Sequence, residues 1–337
     1  MLSEIDAELD TKDVRDELIG SKGSLELIFH PASGEESALG EPLAQAARRI
    51  EAASGGALTV ERGDGGGLAA LPCLTIAHRG LGKIHYQALP DGPEAPPFVE
   101  AVLGPRRDGA GATDAFGERL SALERPAELL VFVGASCPHC PGAARSANRI
   151  ALATPLVTVS IVDVQAHAEL AERFNVRSVP LTVLDGDLAV TGVVRPAELV
   201  DKILSRDDDG HGQGVLLSLV EQGRFDDVAA RMRSGPGAAH FVTSWKNSDT
   251  SLRIGLMMAV ETALEGDRAA LDGLVPGLLP ILGTEDPVLR GDTADLLGRI
   301  GHPAATDALR ALLDDPNPHV AEIASEALEE IEVRDGE

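Results

Sequence analysis

Aromatic side chains are scarce in this 337-residue chain, at 3% of the total, with one Trp and one Tyr. Few platforms exist on which bases could stack, which argues against a single-stranded nucleic acid ligand. Basic residues are also outnumbered, 29 against 54 acidic ones, for a net charge of −25. Phosphate backbones and anionic lipid headgroups both need a basic surface, so neither nucleic acid nor a membrane is an expected partner. No apolar run has the length of a bilayer-spanning helix. The N-terminal residues are acidic (Glu4, Asp6, Glu8, Asp10, Asp13), without the basic and apolar regions of a secretory signal. Cysteine is limited to Cys73, Cys137 and Cys140, too few for the disulfide framework of a secreted domain. The expected location is therefore the cytoplasm, where a cysteine pair is catalytic or metal-binding rather than structural.

The length suits two or three domains. Gly-, Pro- and charge-rich runs at 104–111 and 205–212 mark seams. The expected parts are 1–110, 111–205 and 206–337. The last holds 25 acidic and 11 basic residues and reads as the most heavily charged, solvated surface.

In the middle part, the apolar runs 128–133 and 156–162 read as buried strands. A helix is expected from about Cys137 to Ala153, and a shorter one over 166–174. Residues 181–184 and 189–193 flank Asp185-Gly186-Asp187, a hairpin signal, and Pro196 to Leu204 reads as a closing helix. This β-α-β-α-β-β-α order predicts an α/β fold, a sheet covered by helices. The first part repeats the pattern. Residues 27–33 align with 130–136, 58–60 with 157–159, and Pro72 with Pro180, which suggests an internal duplication. Gly34 and Ser37 then stand in the places of Cys137 and Cys140, so the first copy lacks the pair.

The last part is helical. Asp249, Asp286 and Asn317 each precede an apolar helix and fit as N-caps, their side-chain oxygens accepting orphan backbone N–H groups. Segments 289–300 and 320–331 share their internal spacing, with 271–282 and 304–313 as partner helices. Helix pairs repeated in this way stack into an α-solenoid. Trp245 is expected to anchor the array, His302 and His319 to lie in its turns, and His30 to be a surface or loop residue.

Ser136-Cys137-Pro138-His139-Cys140-Pro141 lies between a buried strand and a helix. A helix N-terminus carries unsatisfied N–H groups and a positive partial charge, which stabilise a thiolate. Cys137 is the expected nucleophile, with His139 beside it to lower its pKa. Cys140, further along and less exposed, is the expected resolving thiol. A structural zinc site would need four ligands, and Cys73 is the one other cysteine. Cys73 itself is either a third redox thiol or a small apolar residue in a strand; the second reading is favoured.

These residues, with Val176-Arg177-Ser178-Val179-Pro180, resemble the thioredoxin fold over 111–205. The stretch 20–205 resembles the tandem thioredoxin unit of protein disulfide oxidoreductases, and is similar to the N-terminal domain of the alkyl hydroperoxide reductase flavoprotein. The resemblance implies a redox-dead first unit, a cis peptide bond before Pro180, and presentation of the Val179 backbone to a bound substrate strand. The Cys137-Pro138-His139-Cys140 tetrapeptide resembles that of periplasmic disulfide oxidases, which implies that Pro138 and His139 stabilise the thiolate. Two features depart from thioredoxin itself: Ser136 replaces a Trp, and Val131 replaces a buried Asp beneath the pair. The last part, over about 245–332, resembles HEAT-type repeats on residues such as Leu289-Arg290, Leu296-Leu297, Val320, Ala327-Leu328 and Ile331, which implies docking of a protein partner.

The expected activity is thiol–disulfide exchange on protein disulfides. No G-x-G-x-x-G follows a strand, so no flavin or nicotinamide cofactor is expected. Electrons would come from a separate thiol reductant or reductase, and a peroxiredoxin is a partner implied by the resemblance alone. The rival expectation is a non-enzymatic adaptor that binds protein partners through its repeats and senses oxidation at the cysteine pair.

Overall fold

The computed structural model describes residues 2–32, 38–105, 114–206, 208–266 and 268–335. Gly34 and Ser37, and most of the seam at 104–111, lie outside the described residues. The chain divides into two compact units, Met1–Arg206 and Asp207–Glu337.

The first unit runs α1 (Ser3–Leu9), α2 (Lys12–Gly20), β1 (Leu25–His30), α3 (Gly40–Ala53), β2 (Val60–Arg62), β3 (Cys73–His78), β4 (Lys83–Gln87) and α4 (Ala95–Leu103). It continues with α5 (Asp114–Leu120), β5 (Ala127–Val133), α6 (Cys140–Ala151), β6 (Val157–Asp163), α7 (Ala168–Arg173), β7 (Leu181–Leu184), β8 (Leu188–Thr191) and α8 (Pro196–Leu204). The eight strands among the described residues form one sheet, in the order β2-β1-β3-β4-β6-β5-β7-β8. β1 pairs parallel with β2 and antiparallel with β3, which pairs antiparallel with β4. β5 pairs in the same senses with β6 and β7, and β7 with β8. The two sets of four therefore share one order and one set of directions. They meet where β4 and β6 lie parallel, with Tyr86 opposite Ile161.

Alternation along the strands assigns the two faces. Leu27, Leu74, Ile84, Tyr86, Val131 and Ile161 point to one face and share a core with Leu43 and Ile50 of α3, Phe98 of α4, and Ala147 and Ile150 of α6. Each fully buried large aliphatic side chain contributes about 2 kcal/mol. Phe132, Val162 and Val183 point to the other face and pack with Ala171 of α7 and with Phe174. Gly82 marks a close approach of the two halves. Its N–H donates to the Ala151 carbonyl at 2.8 Å, and a Cβ there would overlap the carbonyl oxygens of Val157 and Ala151.

Two boundaries differ from the sequence expectation. The helix expected from Cys137 starts at Cys140, because Pro138 biases Cys137 away from helical geometry. The Cys137 N–H instead closes a turn at 135–136 by bonding to the Gly134 carbonyl at 3.0 Å, and residues 138–139 form a second turn before the helix. Arg206, expected in the second seam, is a buried anchor. Its guanidinium donates to the carbonyls of Ile203, Pro126 and Arg125 at 2.8, 2.8 and 3.0 Å, and to the Asp185 carboxylate at 2.6 Å. Asp185 and Gly186 both have positive φ, 50° and 81°, the backbone that an Asp-Gly hairpin turn permits.

The second unit is helical: α9 (Asp209–Glu221), α10 (Phe225–Met232), α11 (Gly235–Asn247), α12 (Thr250–Gly266), α13 (Val275–Leu278), α14 (Pro287–Ile300), α15 (Thr306–Ala311) and α16 (Pro318–Asp335). The expected helix over 271–282 is broken: α13 is one turn between the 3-10 segments Arg268–Leu274 and Leu279–Gly283. Pro276 and Pro280 remove the donors that a continuous helix would need. Asp249, Asp286 and Asn317 cap as expected, accepting N–H groups of Leu252, Val288 and His319 at 3.0, 2.9 and 3.0 Å. Trp245 is fully buried and donates its indole N–H to Thr293 of α14 at 2.9 Å. His302 caps a 3-10 turn and His319 is exposed. No described helix is long and apolar enough to cross a membrane.

Candidate active site

β5 ends at Val133, and the loop 134–139 carries the chain into α6. Cys137 in this loop is half-buried, while Cys140, the first residue of α6, has no exposed surface. The two are joined as a disulfide with Cα atoms 5.5 Å apart, within the usual span. The Cys140 N–H donates to the Cys137 sulfur at 3.1 Å. That sulfur also lies 3.7 Å from the Val179 carbonyl oxygen. The Val179–Pro180 peptide bond is cis, Pro180 is buried, and its carbonyl accepts the Gly192 N–H at 2.8 Å. Gly134 leaves room for this loop: a Cβ there would meet Val179 Cγ2 at 3.3 Å.

Four of the six expected site residues thus converge: Cys137, Cys140, Val179 and Pro180, while Pro138 is exposed in the loop between the cysteines. His139 occupies the N-cap position of α6, but its side chain is exposed and makes no capping hydrogen bond. The positive end of the helix acts on Cys137 mainly through the Cys140 N–H. An N–H aimed at sulfur favours the charged form, so the arrangement suits a thiolate on Cys137 once the disulfide is reduced.

Val131, beneath the pair, is fully buried and apolar. A carboxyl is present elsewhere. Glu94 ends a 3-10 turn (Gly92–Glu94) that packs on α6. It is 5% exposed, and neither carboxylate oxygen has a hydrogen-bond partner among the described residues. Burial pushes this carboxyl up to about 7, opposed by the Arg145 charge on α6. Arg145 forms a two-pronged bridge to Glu100 of α4 at 2.7 and 2.9 Å. Asn148 donates to the Tyr86 hydroxyl at 2.9 Å and the Pro97 carbonyl at 3.3 Å. Sequence reasoning missed Glu94; its one signal was a carboxylate directly after the turn former Asp91-Gly92-Pro93.

Cys73, next to the second cis proline (Leu71–Pro72), is buried. Burial pushes its thiol up to about 12, so it stays protonated and unreactive. His30 is not a surface residue but half-buried at the end of β1. Its Nδ1 accepts the Gly65 N–H at 3.0 Å, which leaves Nε2–H to donate to Thr75 Oγ1 at 3.1 Å. Thr75 then donates to His85 Nδ1 at 2.9 Å. No group of three or more described His, Cys, Asp or Glu side chains could hold a metal ion.

A family model described as a thioredoxin domain matches residues 127–205. A thioredoxin of Methanocaldococcus jannaschii is 31% identical over 80 residues, which cover 94% of that protein and 23% of this chain. The chain belongs to the thioredoxin family. Its thioredoxin domain carries the Cys137–Cys140 pair. A HEAT-repeat model matches residues 275–336, so the helical C-terminal region contains HEAT repeats. An alkyl hydroperoxide reductase component of Staphylococcus epidermidis is 25% identical over 125 residues, covering 37% of this chain but only 24% of that protein. A crystal structure of a protein disulfide oxidoreductase from Aeropyrum pernix superposes with a TM-score of 0.48 at 21% identity, over 60% of this chain and 92% of that one.

Proposed function

We propose that this protein is a thiol–disulfide oxidoreductase acting on protein disulfides. The observation that carries the reading is the Cys137–Cys140 disulfide at the start of α6, its outer sulfur facing the Val179 carbonyl. In the reducing direction, the Cys137 thiolate attacks a client disulfide and releases one client thiolate. Cys140 then gives up its proton, attacks Cys137 Sγ in the mixed disulfide and releases the second client thiolate. Two electrons pass to the client, and the protein is left oxidised. Glu94 is the proposed acceptor of the Cys140 proton, as a buried carboxyl that titrates near neutrality on the turn packed against α6. The Val179 backbone presents itself to the client strand, Pro180 fixes its course, and Pro138 and His139 shape the turn that exposes Cys137.

The recurring strand order and the two cis prolines support a further proposal. Residues 1–110 and 111–205 are tandem thioredoxin-like domains, the first without the cysteine pair. Residues 206–337 are the partner-docking domain. A separate thiol reductant or reductase resets the pair, a peroxiredoxin is a candidate client, and the cytoplasm is the proposed location. Insulin reduction tests the central reading: wild type is expected to turn over and Cys137→Ser is not. Equal rates would remove it.

A further inference from the structure

The N-terminal helix is tied to the turn that carries Glu94. The Leu2 N–H donates to Asp91 Oδ2 at 2.8 Å, and the Glu4 N–H to Asp91 Oδ1 at 3.3 Å. Both are orphan donors of a helix start, satisfied by a carboxylate 89 and 87 residues away. Burial pushes Asp91 up, but these hydrogen bonds outweigh it and hold the carboxyl below its ordinary value. From the other side, Arg49 of α3 donates to the Leu2 carbonyl at 2.6 Å and pairs with Asp6 at 2.8 Å. Leu2 and Ile5 have no exposed surface. α1 packs on α4, on α3 and on the turn Gly92–Glu94.

Asp91 is thus both the acceptor for α1 and the residue whose carbonyl accepts the Glu94 N–H, at 3.2 Å. Arg145 on α6 and Tyr86 on β4 interact with Glu94, and Glu100 on α4 with Arg145 and Tyr86; at the head of the same turn, Asp91 interacts with Glu4 of α1, and Arg49 of α3 binds Leu2 and Asp6. Arg145, the one cation acting on Glu94, is held by Glu100. Burial is what raises the Glu94 carboxyl, and α1 is one of the elements packed on the turn that carries it.

We propose that residues 2–9 form a strap, tied by Asp91, which keeps water from Glu94 and so sets the pH at which the Cys137–Cys140 pair changes reactivity. Asp91 is a positioning residue; it acts through Glu94 and touches neither cysteine. The inference rests on the redox reading above and on Glu94 as the acceptor of the Cys140 proton: that proton passes to the Glu94 carboxylate and returns when the pair is next reduced.

The test uses the full chain with the pair reduced. The rate of thiol alkylation by iodoacetamide is followed against pH, and amide hydrogen exchange of residues 3–9 is measured in parallel. Beside the inflection of the Cys137 thiol itself, wild type is expected to show a second one near 7, which is the inflection read here and which Glu94→Gln removes. Asp91→Ala is expected to speed exchange in α1 on the order of tenfold and to move the inflection down by about one pH unit or more, toward an ordinary carboxyl. Asp91→Asn keeps an acceptor oxygen and falls between. Faster exchange with an unmoved second inflection overturns the proposal, as does unchanged exchange, or a second inflection that survives Glu94→Gln. If Asp91→Ala fails to fold, Arg49→Gln loosens the same strap from its other side and is read in the same way. Alkylation needs no client, so a failure of insulin reduction would count against the proposed function and leave this readout intact.

Discussion

The main-chain N–H of Cys140 points at the sulfur of Cys137 across 3.1 Å. One sulfur is half-buried and receives the helix's first donor; the other is sealed in the core. That asymmetry assigns the order of attack, because only the outer sulfur can reach a client.

The first prediction follows from this order. Cys140→Ser leaves the attacking thiol in place and removes the resolving one, so it should accumulate a mixed disulfide with a client protein. Cys137→Ser should form none, and both should lose turnover by several orders of magnitude. Non-reducing gels and mass spectrometry after mixing with a disulfide client check it; adducts through Cys140 in preference to Cys137 would reverse the assignment.

Glu94→Gln should change stability in a pH-dependent way. The folded carboxyl is raised from 4.5 to about 7. Between those values the folded state holds more proton than the unfolded state, so wild-type stability falls as pH rises through that window. The glutamine variant lacks this loss. Above neutrality it should be the more stable protein by up to about 3 kcal/mol, with the difference shrinking toward pH 4.5. Urea unfolding at a series of pH values measures the difference; a gap independent of pH would contradict it.

Gly82→Ala tests the seam between the two halves of the sheet. The added Cβ meets main-chain oxygens of Val157 and Ala151, which cannot swing away as a flexible side chain would. The expected cost is about 2–4 kcal/mol. In a unit of this size that lowers Tm by roughly 2–4 °C per kcal/mol, measurable by calorimetry.

Trp245 is the sole tryptophan, so its fluorescence reports on the helical unit alone. Thr293→Val removes the acceptor of the indole N–H and leaves that donor buried and unpaired. A loss of about 1–3 kcal/mol is expected, read as a lower urea midpoint in the Trp signal. A transition at the wild-type midpoint would show that the bond contributes nothing.

Much of this was legible in the chain. The hairpin at Asp185-Gly186 formed where expected because that dipeptide tolerates positive φ. The three solenoid caps hold because a cap is a contact over two or three residues. The start of α6 lies three residues beyond its expected place because Pro138 holds Cys137 out of the helix. His30 departs from expectation for another reason: its partners Gly65 and Thr75 are brought to it by loop and sheet.

The sequence by itself determined the order of strands and helices over 128–204, the caps, and the spacing that puts two sulfurs at one helix start. All of these are settled by neighbours a few residues apart. Only the tertiary structure decided that β4 lies against β6, that Glu94 loses its water beside α6, and that Leu2 ends on Asp91. Burial and hydrogen bonding between distant segments depend on which surfaces meet, and no local pattern records that.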